Sequence, residues 1–151
     1  MIKKLSQLLT PKKPRDTNAR QPIDELLKAP YDAIGGEAAT RAIANRFYDI
    51  MASDPFAKEL YAMHPQPLDR IRQVFFEFLS GWLGGPALFE EKYGHPRLRQ
   101  RHMPFKITPQ LRDQWLHCMN KTLDIEIDTP LLRAKLKQSL AQLATHMINS
   151  D

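Results

Sequence analysis

The stretch Gly94-His95-Pro96-Arg97-Leu98-Arg99-Gln100-Arg101-His102-Met103-Pro104-Phe105 decides how the rest of this sequence is interpreted. We expect Pro96 to start a short helix and Pro104 to stop it, because proline fits the first turn of a helix but not its interior. His102 then closes that helix, one turn after the apolar Leu98. An imidazole held in this way could bind a metal ion, but a histidine at a helix C-terminus is also stabilised by the helix dipole alone. One histidine by itself does not identify a metal.

The sequence on both sides of this stretch is predicted to be helical from about residue 23 onward. Apolar residues recur at spacings of three and four, and we find no alternating polar and apolar run bounded by hairpin turns. The other predicted helices cover about 37–53, 54–63, 68–83, 109–123 and 130–147. Asp54 and Thr108 are predicted to cap the second and fourth of these, and Gly84-Gly85-Pro86 ends the third. The pattern predicts a single all-α domain.

The positive charge of the chain is concentrated near its start. The 151 residues contain 22 Lys and Arg against 17 Asp and Glu. Seven of the basic and three of the acidic residues lie in residues 1–30, which leaves 15 against 14 in the other 121. A nucleic-acid-binding domain is expected to carry a basic stripe on its folded face, so nucleic acid is not a predicted partner. We expect residues 1–22, which contain three prolines, to form a flexible basic extension before a domain of residues 23–151.

The composition also bears on the location of the chain. No window approaches the run of about 20 apolar residues that crosses a bilayer. No small-residue cleavage site follows the first residues, so a secretory signal is not predicted. The single cysteine, Cys118, excludes an internal disulfide. We therefore expect a cytoplasmic protein without a transmembrane segment.

Four motifs occur in a characteristic order: Phe47-Tyr48, Gly84-Gly85-Pro86, the stretch 94–105, and Trp115-Leu116-His117-Cys118-Met119. Together they resemble the group II truncated haemoglobins, which are shortened globins with a two-over-two helical sandwich enclosing haem. The resemblance extends from about Tyr31 to Asn149. It implies a truncated globin fold with an N-terminal extension, and haem b (iron protoporphyrin IX) as the cofactor. With one cysteine the chain lacks the Cys-x-x-Cys-His motif, so the haem would be held without covalent attachment.

The resemblance implies a role for individual residues. His102 would be the proximal ligand of the haem iron, and Tyr48, Tyr61 and Trp115 would donate hydrogen bonds to a ligand on the distal side. Tyrosine hydroxyl and indole N–H groups usually keep a polar partner when buried. Ile71 takes the register of the distal histidine of many globins and cannot donate. The other residues expected to contact haem are Phe47, Phe75, Phe78, Leu79, Leu98, Arg101, Met103, Phe105 and Met119.

Three further features refine this prediction. Arg101, next to the ligand, is the best placed cation of a cluster with Arg97, Arg99 and Lys106 that could pair with the haem propionates. Phe75 stands where relatives often have Leu or Gln, which predicts a tighter and drier pocket. The segment 61–67 is longer than in the shortest relatives, and we expect Tyr61 or His64 to be able to reach the sixth coordination position of the iron when no gas is bound.

The function predicted from these features is reversible binding of dioxygen and other diatomic ligands such as nitric oxide and carbon monoxide. Several distal donors imply slow release, which suits oxidation of nitric oxide to nitrate, or destruction of peroxide or peroxynitrite, better than bulk transport. No glycine-rich dinucleotide fingerprint is present, so an external reductase would supply electrons. Two alternatives are a haem-based sensor that acts on a partner through its basic extension, and a helical interaction domain without a cofactor. The sequence does not indicate an oligomeric state.

Overall fold

The computed structural model describes residues 28–151. The predicted extension of residues 1–22, on which the sensor alternative depends, lies outside the described residues, as do residues 23–27. No helix of the described part is both long and apolar enough to cross a membrane.

The described residues form α-helices and one 3₁₀ turn, without a strand, so the predicted all-α class is confirmed. The elements are α1 Pro30–Ile34, α2 Gly36–Ser53, the 3₁₀ turn Pro55–Ala57, α3 Lys58–Ala62, α4 Asp69–Trp82, α5 Leu88–Tyr93, α6 Leu98–His102, α7 Pro109–Glu126 and α8 Pro130–His146.

Side-chain caps mark the starts of the 3₁₀ turn and of α7. The Asp54 carboxylate accepts a hydrogen bond from the Phe56 N–H at 3.0 Å, just after α2 ends. The Thr108 hydroxyl accepts one from the Leu111 N–H at 3.2 Å at the start of α7. Such side chains satisfy the N–H groups that the first turn of a helix leaves without a partner. The predicted caps are therefore both confirmed.

The short helix before the Met-Pro break begins later than Pro96 suggests. Helix α6 starts at Leu98, because Arg97 adopts a left-handed conformation with φ of 40°. This conformation is incompatible with a right-handed helix, so Arg97 interrupts the helical run that would otherwise begin at Pro96. It is also rare for a residue with a Cβ. The prediction that Pro96 opens the helix is wrong, whereas the predicted end at His102 is confirmed.

The four longest helices form two packed pairs. Helix α2 packs against α4, α7 packs against α8, and contacts between α2 and α7 join the pairs. At the centre lies Phe47, which is fully buried, with its ring centroid 5.1 Å from that of Phe75 and 5.2 Å from that of Trp115. The core around it contains Ile43, Met51, Phe76, Leu79, Cys118, Met119, Leu123, Leu136 and Leu140.

Helix α4 has apolar residues on two faces, and each face has its own neighbour. Phe76 and Leu79 are buried in the core, whereas Phe75 and Phe78 line a cavity. This division explains why the apolar stripe of α4 is so broad, since a helix that only covers a core needs a narrower one.

The turn after α4 requires glycine. A Cβ on Gly85 would lie 2.5 Å from the ring of Tyr31, and Gly84 has φ of 88°. The Tyr31 N–H donates to the Leu83 carbonyl at 2.9 Å, so α1 is fastened to this turn. A side chain at Gly85 would push α1 away from the end of α4.

Candidate functional site

A cavity of about 400 Å³ lies between the two helix pairs. This is within the range of pockets that hold cofactors and small ligands. The polar and indole side chains that line it are Tyr48, His64, Arg101, His102, Arg112 and Trp115. Its apolar lining comprises Leu60, Met63, Pro65, Ile71, Val74, Phe75, Phe78, Phe89, Leu98, Phe105, Ile107, Leu111, Leu143, Ala144 and Met147.

His102 lines this cavity from the end of α6 and is half-buried. Its Nδ1 lies 2.6 Å from the carbonyl oxygen of Leu98, one turn earlier. A carbonyl oxygen only accepts, so Nδ1 donates, and in the neutral tautomer that this selects Nε2 carries the lone pair. A hydrogen bond of this type to one ring nitrogen is what orients histidines whose other nitrogen binds a metal.

The backbone around His102 is held by Asn149. The Asn149 side-chain amide donates to the carbonyl oxygens of Phe105 at 2.9 Å and His102 at 3.3 Å. Its Oδ1 accepts from the Ile107 N–H at 2.9 Å. The residues after α8 thus fix the loop that follows α6, and with it the position of the imidazole.

A second histidine in the lining repeats the arrangement. The Nδ1 of His64 donates to the Leu60 carbonyl oxygen at 2.8 Å, so its Nε2 is also free to accept. Burial lowers the pKa of His64, partly opposed by the hydrogen bond to Leu60, and the nearby His102 lowers the pKa further. His64 is therefore held in its neutral form, which is the form that binds metals.

Tyr48 contributes a hydroxyl with no partner among the described residues. The side chain is 4% exposed, and its hydroxyl forms no hydrogen bond within residues 28–151. Burial raises the pKa of Tyr48 far above its usual value, despite an opposing effect of Arg72, so the hydroxyl stays protonated. A hydroxyl at the cavity wall without a protein partner is available as a donor to a guest in the cavity.

Two arginines lie at the cavity. Arg101 donates to the carbonyl oxygens of Tyr93 at 3.1 Å and His95 at 3.3 Å, and its guanidinium lies 5.1 Å from the centroid of the Phe89 ring. Arg112 donates to Asp113 at 2.9 Å. Both cations are of the type that pairs with carboxylates.

The structure brings most of the predicted site residues together and leaves others apart. Those that line the cavity are Tyr48, Ile71, Phe75, Phe78, Leu98, Arg101, His102, Phe105 and Trp115, together with His64. Phe47, Leu79 and Met119 lie in the buried core behind it. Met103 is 57% exposed and lies outside the lining. Tyr61 packs against the core and does not line the cavity either.

The sequence reasoning missed several lining residues. Leu111 and Arg112 precede Trp115 by about one helical turn, so the spacing could have identified them as sharing its face. Leu143 and Met147 lie on the apolar face of the predicted helix over 130–147, but periodicity does not distinguish a cavity from a core. Nothing in the pattern around Phe89 indicates that α5 contributes to the cavity.

These side chains fit an iron porphyrin. The group needs a neutral imidazole as axial ligand, apolar walls for its ring and cations for its two carboxylates. The cavity offers the free Nε2 of His102, a mostly apolar lining, and Arg101 and Arg112.

Comparisons with known proteins also indicate a globin. The family described as "Bacterial-like globin" matches residues 29–149. The curated protein "Group 2 truncated hemoglobin YjbI" of Bacillus subtilis (strain 168) is 39% identical over 127 residues, covering 84% of this chain and 93% of that protein.

Solved structures are also similar. A cold-adapted truncated hemoglobin from the Antarctic marine bacterium Pseudoalteromonas haloplanktis TAC125 is 72% identical, with a TM-score of 0.81 over 82% of this chain and 100% of that one. A group II 2-on-2 hemoglobin from Agrobacterium tumefaciens is 40% identical, with a TM-score of 0.80 over 82% and 96%.

Proposed function

Because the chain belongs to the bacterial-like globin family, with group II truncated haemoglobins as its relatives, and because globins bind haem, we propose that His102 holds the iron of haem b. The observation that carries this proposal is the 2.6 Å hydrogen bond from His102 Nδ1 to the Leu98 carbonyl, which leaves Nε2 for the metal. The apolar lining would enclose the ring, and Arg101 and Arg112 would pair with its carboxylates.

When bound, haem iron supplies reversible binding of diatomic gases, which we propose to be dioxygen, nitric oxide and carbon monoxide. The role of the protein is to shape the distal side of the haem and to exclude water from it. Ile71 and Phe75 offer only apolar surface there, so water is excluded around the few donors that remain.

We assign the distal hydrogen bonds to Tyr48 and Trp115. Dioxygen takes negative charge in such a site, so a protonated phenol and an indole N–H both stabilise it. A neutral hydrogen bond contributes about 0.5–1.5 kcal/mol, and two of them acting together slow release by one to two orders of magnitude at most. Tyr61, which does not line the cavity, is a weaker candidate for a third donor.

Slow release favours chemistry on the bound gas over transport. In the reaction that we propose, dioxygen and nitric oxide combine to give nitrate, and one electron from an external reductase restores ferrous iron. Removal of peroxide or peroxynitrite with the same reductant is the second activity to assay. We expect this chemistry in the cytoplasm.

The experiment that tests this function starts with absorption spectra of the purified protein, oxidised, reduced and with carbon monoxide. We expect a Soret band that shifts with each treatment. Nitric oxide consumption is then measured in oxygenated buffer with an artificial reductant. A colourless protein would contradict haem binding, and a coloured protein that yields no nitrate would contradict only the proposed reaction.

A further inference from the structure

Charge is distributed very unevenly over the described residues. Between Lys92 and Arg112 there are six Lys and Arg and no Asp or Glu. The rest of the described part contains ten basic and fourteen acidic residues. A net charge close to zero for residues 28–151 therefore conceals one strongly positive segment, while the other described residues are negative overall.

Four cations of this segment are exposed and have no acidic partner within the part of the chain that the structure describes. They are Arg97, Arg99, Arg101 and Lys106, which we call the basic rim. None of the four forms an ion pair with a carboxylate of residues 28–151, whereas Lys92 pairs with Glu77 and Arg112 with Asp113.

Two guanidinium groups of the basic rim are held in place by backbone carbonyl oxygens. Arg101 donates to two carbonyl oxygens near α5, and Arg99 donates to the His146 carbonyl at 3.1 Å. The main-chain N–H of Arg97 donates to His95 Nδ1 at 3.0 Å, which fixes the backbone of Arg97 but not its guanidinium. Fixed cations lose less conformational entropy when a partner binds, which favours a specific contact over a diffuse one.

The basic rim adjoins the cavity, because its member Arg101 belongs to the cavity lining. Arg101 and Phe105 belong to the cavity lining, and His102 lies between Arg101 and the exposed Met103 in the chain. An apolar side chain among fixed cations is the usual composition of a protein-docking surface, in which charges steer the encounter and the apolar centre excludes water.

We propose that an acidic electron-transfer protein docks on the basic rim. This inference rests on the proposed function, which needs an external reductant. The partner would carry a reduced flavin or iron–sulphur centre beneath an acidic face, and each encounter would transfer one electron from that centre, which is oxidised, to ferric haem iron, which becomes ferrous. Opposite charges would raise the association rate and make it dependent on ionic strength.

The test uses the haem-loaded protein and an acidic [2Fe–2S] ferredoxin as the probe, with binding measured by calorimetry at low and physiological salt. The variant R99E/K106E reverses two rim charges that do not line the cavity. The control K58E/K135E changes the net charge equally at two exposed lysines outside the rim. We expect the rim variant to bind at least about tenfold more weakly and the control to bind within about twofold of the unchanged protein.

The Soret absorbance per protein separates this proposal from the proposed function. A protein without a Soret band contradicts the function itself. A coloured protein that does not bind the ferredoxin, or whose two variants weaken binding equally, overturns the docking surface alone. Loss of haem from R99E/K106E would place those residues in the haem site and would also overturn it. Tight binding to duplex DNA, or to vesicles containing phosphatidylglycerol, without binding to the ferredoxin would likewise overturn the proposed docking surface.

Discussion

His64 and His102 line the same cavity, and each donates its Nδ1 proton to the backbone carbonyl four residues earlier, at 2.8 Å and 2.6 Å. Both imidazoles therefore keep a free Nε2. Burial lowers the pKa of His64, and His102 contributes a smaller effect in the same direction.

The first prediction concerns the sixth coordination position of the iron. Of the two residues that the sequence suggested, His64 lines the cavity and Tyr61 does not, so we expect His64 to bind ferric iron when no gas is present. H64A should then convert a low-spin absorption spectrum to a high-spin one, and Y61F should leave it unchanged. The reverse result would assign the ligand to Tyr61, and a spectrum unaffected by both changes would refute the hypothesis.

The second prediction concerns release of dioxygen. Y48F removes one hydroxyl and keeps the ring, and we expect it to raise the dissociation rate about 2- to 13-fold, the equivalent of one neutral hydrogen bond. W115F should act in the same direction. Stopped-flow displacement of dioxygen by carbon monoxide measures both rates. Y61F is the control, and a larger effect from this variant than from Y48F would contradict the proposed set of donors.

The third prediction concerns acid stability. Asp54 accepts from Lys121 at 2.9 Å and His117 at 2.7 Å, besides the Phe56 N–H, and these hydrogen bonds lower its pKa far below the usual value. A carboxyl with a lowered pKa in the folded state contributes stability above its unfolded pKa, and this contribution is lost as the pH falls through the folded pKa. D54N should therefore lower Tm at pH 7, and by progressively less below about pH 4.

Thermal unfolding of both proteins from pH 7 to pH 2 measures this difference. D49N is the control, because Asp49 is an exposed carboxylate in a single ion pair with Arg72. A Tm difference for D54N that stayed constant across the whole range would show that Asp54 acts as a cap without a charge effect.

The fourth prediction compares a buried aromatic residue of the core with an exposed one. Phe47 is fully buried between the rings of Phe75 and Trp115, so F47A should lower the free energy of unfolding by about 3–5 kcal/mol. F56A removes the same side chain where it is 52% exposed and should cost about 1 kcal/mol or less. Urea unfolding of the haem-loaded proteins gives both values. Equal losses would mean that Phe47 is not the centre of the core.

Much of the fold could be predicted from local chemistry. The resemblance to group II truncated haemoglobins and the two-over-two globin fold are both confirmed. The starts of the 3₁₀ turn and of α7 follow from Asp54 and Thr108, since capping depends on a few neighbouring residues. Helix α5 was not predicted, because six residues are too few to show a helical period.

The site was harder to predict than the fold. Periodicity shows which face of a helix is apolar but not what it packs against, so Leu79 in the core and Phe78 in the cavity lining look alike in sequence. For the same reason, periodicity does not show that Leu143 and Met147 line the cavity. Tertiary contacts place His64 at the cavity and Tyr61 outside its lining. A local sequence pattern does not contain these contacts, so the positions of the two residues could not be predicted.

The bond between His102 and iron is tested most directly by H102G, in which the imidazole is removed and can be supplied from solution. We predict a protein with little Soret absorbance that regains a five- or six-coordinate haem spectrum when free imidazole is added, whereas H95G retains its haem without it. An H102G protein with the spectrum of the unchanged chain would contradict the assignment of His102 as the haem ligand.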